Sequence, residues 1–156
     1  MTVSNRRDLV VQLLGEVLYV ERRLADEVIA GVAEAVRDEE LRTLLHRHRD
    51  ETVAHVDRVE QAFRRLQVAP TSNRSRVFES AVAQHDELVA TIVEPQLADV
   101  FHAQSALHVE HWEMAAYRTL LPLLDPDVGD VLKPSFAEEG EAAKLLVGAI
   151  DRLSGP

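Results

Sequence analysis

The sequence predicts an all-α fold, a four-helix bundle with one long crossover that carries an additional shorter helix. Three observations predict it. Apolar residues recur at spacings of three and four over long stretches, the alternation of half-buried strands is absent, and proline and glycine fall at a few punctuating points.

The first helix is expected over about residues 5 to 36, with Val10, Leu13, Leu14, Val17, Glu21, Leu24 and Val28 along one stripe. Asp38, followed by Glu39 and Glu40, is an N-cap for a second helix that runs to about residue 67. The segment APTSN at 69–73 breaks that helix, and a shorter one follows over about 75 to 93. Pro95 opens the fourth, which ends near LPLLDPD, and the fifth runs from about 128 to 153. The short link between the first two helices makes them antiparallel neighbours. Residues 68 to 95 are long enough to return from one end of the bundle to the other.

A chain of 156 residues with 46% apolar content makes one domain, residues 1–156, with a core that needs no staple. With no cysteine, thiolate metal sites, disulfides and thiol catalysis are excluded. No apolar run is long enough for a signal or a membrane span, so a cytoplasmic location is expected. The net charge of −10 is uneven: residues 1–78 carry 13 basic and 13 acidic groups, residues 79–156 carry 4 and 14. Such a surface repels nucleic acid and anionic lipid and favours cations as ligands.

Charged residues interrupt the core faces. In VEHWEMAAY (109–117), Glu110, Glu113 and Tyr117 share the stripe of Ala103, Ala106, Leu120 and Leu124. The second helix presents Leu41, Leu44, Leu45, His48, Glu51, His55, Val59, Ala62 and Leu66. Glu21 interrupts the first helix, and Glu139 the last, among Phe136, Ala143, Leu146 and Ile150. Buried carboxylates with a histidine near mid-bundle demand compensation by protons, arginine partners or metal.

The stretches LYVERRL (18–24), RDETVAHVDRVEQAF (49–63), VEHWEMAAYRTL (109–120) and FAEEGEAAKLL (136–146) make the chain resemble the YciF-type ferritin-like proteins of bacteria. The resemblance implies a ferritin-like bundle, a homodimer, and a link to stress responses without an assigned reaction. The broader kin, rubrerythrins and bacterioferritins, hold two irons on inward Glu and His residues. By that resemblance Glu21, Glu51, His55, Glu110, Glu113 and Glu139 are metal ligands, with two Fe or Mn ions as cofactor and oxidation of Fe(II) or reduction of peroxide as the chemistry. The alternative is a metal-free polar network inside a structural or interaction module.

Two departures stand out. Glu51 and His55 are four apart rather than three, with Thr52 at the position three before His55, and Glu139 is followed by Ala142 and Ala143, neither of which binds metal. Glu138 with Glu141 is the other pairing on that helix. His48 reads as a ligand or as a hydrogen-bond partner of Glu51. Tyr117 reads as a packed residue whose hydroxyl meets a carboxylate. His85, His102, His108 and His111 read as surface or interface residues, Trp112 and Met114 as packing or dimer contacts. Arg42, Arg47, Arg49, Arg58, Arg64 and Arg65 read as a solvated face.

Overall fold

The computed structural model describes residues 2–155 and contains helices and no strand among them. Helix α1 (Arg6–Arg23) starts at Asn5, whose side chain accepts from the Asp8 amide, and continues through a π-helical turn, Leu24–Val28, into α2 (Ile29–Ala35). Helix α3 (Glu39–Arg65) is capped by Asp38, which accepts from the Leu41 amide. Ser75 caps the short α4 (Arg76–Val89), Pro95 opens α5 (Pro95–Leu120), and a 3-10 turn at Leu121–Leu123 leads to α6 (Pro126–Ser154).

Neighbouring pairs are α1 with α3, α3 with α6, α6 with α5, and α5 with α1, which closes a four-helix ring. The two helices joined by the crossover, α3 and α5, face each other across the diagonal. They also start at the same end, because Asp99 of α5 accepts from the amides of Arg37 and Asp38 at 3.0 and 2.8 Å. Arg152, near the end of α6, pairs with Asp38 at that end too, at 2.6 Å. Parallel alignment of α3 and α5 follows from the return path of residues 66–94. Helix α4 lies outside the ring, buries Phe78, and ties back to the first helix through Glu79, which accepts from Tyr19 at 2.7 Å and pairs with Arg23.

Two apolar clusters fill the bundle. One, around Leu14, Leu18, Phe63, Tyr117 and Leu132, occupies the end where α1 begins, and the other, around Val20, Leu41, Phe78 and Leu146, the opposite half. The charged residues singled out above lie in the layer between.

The first helix departs from a regular α-helix. In the π turn the Ile29 amide bonds to Leu24, so the Ala25 carbonyl loses the donor it would have had and accepts instead from Arg49 Nε at 2.9 Å. The extra residue shifts the buried stripe by one: Ile29 is buried where Val28 was expected. Of the six arginines read as a solvated face, Arg47 and Arg64 pair with acids of their own helix, and the other four reach partners outside it. Arg42 caps the carbonyls of Ala33 and Val36, Arg49 serves the π turn, Arg58 reaches Ser135 and Glu138, and Arg65 bonds the Asp127 carbonyl. Arginine supplies the donors because helix ends and bulges leave carbonyls without amides.

Candidate metal centre

Four long helices each send a carboxylate or imidazole into the middle layer. Glu21 from α1 is fully buried. One of its oxygens accepts from the Tyr117 hydroxyl and the other lies 3.2 Å from His55 Nδ1. His55 from α3 is equally buried, with Glu139 Oε1 at 2.9 Å from the same Nδ1 and Glu138 Oε2 at 2.9 Å from Nε2. Glu138 is half-exposed and is held by Arg58 on its outer side.

Two turns back along α3, His48 brings Nε2 to 3.1 Å from Glu110 Oε1 and 3.7 Å from Glu139 Oε2. Neither approach has the alignment of a hydrogen bond, and both nitrogens of His48 are buried without a partner. The same holds for one oxygen of Glu110 and both oxygens of Glu113 and Glu139. Two groups of three donors result, Glu21–His55–Glu139 and His48–Glu110–Glu139, each with ligand atoms within 4.8 Å of one another. Glu139 belongs to both.

Burial governs the protonation of this layer. It pushes the carboxyls of Glu110 and Glu139 up to about 7, and raises those of Glu21 and Glu113, because a charged carboxylate there loses its hydration and faces other carboxylates. Burial works against a charge on His55, but the carboxylates of Glu139 and Glu21 beside its Nδ1 outweigh it and hold the imidazolium up to about 11. Without a further cation the layer balances itself with protons and one imidazolium.

Among the sequence-predicted residues, Glu21, His55, Glu110, Glu113 and Glu139 are brought together in the buried layer, Glu113 fully enclosed. Glu51 stands at its edge. Its side chain is 25% exposed, pairs with Arg47 at 3.0 Å and comes no closer than 3.6 Å to His48, while the fully buried position beside it belongs to Thr52. Thr52 spends its hydroxyl on the His48 carbonyl at 2.8 Å. The residue that the sequence undervalued is His48. Ala142 and Ala143 are buried and small, and the second imidazole facing Glu139 comes from α3 instead of α6. The signal was available: His48 and His55 are seven residues, two turns, apart on one face.

One surface assignment is overturned. His102 is only 4% exposed, and its Nδ1 meets Nε2 of the half-buried His85 at 2.9 Å. Helix α4 covers this face of α5 and takes the ring out of solvent.

No helix among the described residues is long and apolar enough to cross a membrane. Over 149 residues the chain is 25% identical to Protein YciF of Escherichia coli (strain K12), covering 89% of this chain and 86% of that protein. The crystal structure of the E. coli stress protein YciF superposes with a TM-score of 0.91 at 22% identity, covering 99% of this chain and 100% of the other. YcfI of Rhodopseudomonas palustris, for which a structural role has been suggested, gives 0.89 at 24% identity, covering 92% and 94%. The bundle with its crossover is thus the fold of these structures, and the chain belongs to the YciF-type family, whose model, the domain of unknown function DUF892, matches residues 5–154.

Proposed function

We propose that the protein is a dinuclear-metal carboxylate protein that takes up Fe(II) or Mn(II) between its four long helices. The observation that carries this reading is the set of seven buried donor atoms without partners on His48, Glu110, Glu113 and Glu139. Buried polar atoms are almost always paired, and a cluster of unpaired ones facing each other is what a cation would satisfy. Glu21 and His55 would hold one ion, His48 and Glu110 the other, with Glu139 between them and Glu113 as a further carboxylate. The donor set of oxygens with two imidazoles suits Fe(II) and Mn(II) better than thiophilic metals.

Such a pair of ions supplies redox chemistry toward dioxygen or peroxide. The chain's own residues set the conditions. Tyr117 orients Glu21 by donating to it, Arg58 and Glu138 fix the outer side of His55, and the apolar clusters above and below keep bulk water away. A role in stress protection is consistent with the name of the E. coli relative and is part of this proposal.

Metal analysis of protein purified without chelator, followed by anaerobic titration of Fe(II) and Mn(II) into the stripped protein, tests it. Two ions per chain and a higher melting temperature are expected, since a ligand that binds only the native state stabilises it. A melting temperature unmoved by either ion would leave a metal-free polar network and a structural role.

A further inference from the structure

A cavity of about 440 Å³ opens between the π turn, α2, α3, α4 and α5. That volume is within the range of small-molecule sites, roughly 300–1,000 Å³. Its walls are aliphatic, with Leu24, Val28, Leu45, Val82 and Val109 among them, and its lining reaches solvent at the exposed Gly31 of α2 and Ala81 of α4. Nothing stands within 4 Å of where a Cβ on Gly31 would be, so the entrance is open. The space exists because α4 buries little more than Phe78 and because Ala81 and Ala106 present only methyl groups to it.

Polar groups enter it at two places. His48 and Glu110 form the floor, both under 5% exposed and both with donor atoms unpaired. On the wall, Asp86 lies 3.0 Å from His85 Nδ1 and His85 Nε2 lies 2.9 Å from His102 Nδ1. That chain fixes the tautomers. If His85 donates from Nδ1 to Asp86, its Nε2 accepts from His102 Nδ1–H, and His102 Nε2 is left as a neutral acceptor with no partner among the described residues. Burial and the neighbouring His85 keep His102 uncharged by lowering its pKa.

No free positive charge is offered. Arg23 lines the cavity but is engaged by Glu27 and Glu79, and the other ionisable groups of the lining are the acids Glu27, Asp86 and Glu110 and the imidazoles of His48, His85 and His102. An anionic head would be buried without a counter-charge, which is costly, whereas a hydroxyl can donate to an imidazole.

We propose that this cavity is a binding site for an uncharged, largely apolar small molecule bearing a hydroxyl group, of the alcohol or phenol class. The aliphatic walls supply the affinity, and the unpaired imidazole and carboxylate atoms at the floor and on the wall fix its orientation. Binding of the molecule does not depend on a metal, so this proposal stands apart from the function proposed above.

The test uses 2-naphthol as probe with chelator-treated full-length protein, followed by calorimetry or naphthol fluorescence. One molecule per chain is expected to bind, with naphthalene-2-sulfonate weaker by about tenfold or more because its charge has no partner. Ala106→Trp and Val32→Phe fill the cavity from opposite walls, and each should weaken 2-naphthol by about tenfold or more while the melting temperature reports that the variant is folded. Either variant suffices if the other does not fold. No binding to the wild type, unchanged binding in a folded cavity-filled variant, or equal affinity for the sulfonate would each overturn the proposal. Because metal is absent throughout, a failure here says nothing against the metal centre, and a failed metal titration says nothing against the pocket.

Discussion

Glu139 is the side chain shared by both three-donor groups, so its loss should be felt twice. Glu139→Ala is expected to abolish measurable binding of both ions in an anaerobic Fe(II) titration. Glu51→Ala, at the exposed edge, should lower affinity by about tenfold, the size of an effect exerted through a neighbouring ligand. Equal losses in the two variants would place Glu51 among the ligands. A second expectation concerns Tyr117, whose hydroxyl donates to the buried Glu21. Tyr117→Phe leaves that oxygen without its donor and should cost the metal-free protein about 1–2 kcal/mol in urea denaturation. Burial of Glu110, Glu113 and Tyr117 was legible in the sequence because their spacing of three and four matches the helical period and apolar residues flank them along the same stripe. The choice between Glu51 and Thr52 was not. At about 100° per residue, the buried Leu41, Leu45, Val59 and Phe63 centre the face of α3 on Thr52 and leave Glu51 about 100° away. The half-buried Leu44 and Leu66, read as core, swing the apparent stripe toward Glu51.

At the scale of elements, the π turn is where sequence patterning failed. Nothing in LADEV marks a wider turn, since its residues are ordinary helix formers and the single-residue shift of the stripe shows only once Ile29 is seen buried. Its stability depends on a residue 24 positions away, Arg49, which takes the released Ala25 carbonyl. Arg49→Ala should cost about 1–3 kcal/mol, the penalty of a buried carbonyl left unsatisfied, and should speed hydrogen exchange at the amides of residues 25–29 in particular. Uniform acceleration across α1 and α3 would show that Arg49 acts on the bundle at large. The α2–α3 turn is a related case. Asp38 was legible as a cap from its position before two glutamates, but Asp99, which caps the same turn from α5, carries no local signal because its partners are 61 and 62 residues distant.

For the whole molecule, the buried carboxyls set a pH dependence that metal should reverse. Burial pushes Glu110 and Glu139 up to about 7 in the folded chain, against 4.5 for a free glutamate side chain, so between those values the folded state binds more protons than the unfolded one. Stability of the metal-free protein from this pair is complete below about pH 4.5 and declines as pH rises through about 7. Metal uptake displaces the same protons, so affinity for Fe(II) or Mn(II) should climb over that window with measurable proton release. Melting curves of both forms from about pH 5 to about pH 8 check it: the gap between them should widen as pH rises. At the acidic extreme a different group acts. Asp38, held down to about 2 by Arg152, contributes stability that is lost as pH falls from about 3.8 through 2, on the order of 1 kcal/mol after allowing for its partial exposure. The fold class and the order of the helices were legible at this scale because the four bundle helices are long and strongly periodic; that the first two are neighbours was legible from their short link, whereas which of the others touch was not, since diagonal and adjacent placement bury the same faces.

The return path that sets α3 parallel to α5 also divides the chain into two local hairpins, one of α1 through α3 and one of α5 with α6. Each hairpin closes over a short connection, as fast-folding helical units do. The first holds Glu21, His48 and His55, the second Glu110, Glu113 and Glu139, so neither half confines all the acids by itself. Three of the four acids already share the second hairpin, but their enclosure is complete only when the halves dock, which makes docking the step whose barrier carries the dehydration of those carboxylates. Refolding of metal-free protein in stopped-flow mixing should therefore slow as pH rises from about 5 to about 8, whereas a refolding rate indifferent to pH, with all the dependence in unfolding, would place the carboxylates' enclosure after the barrier.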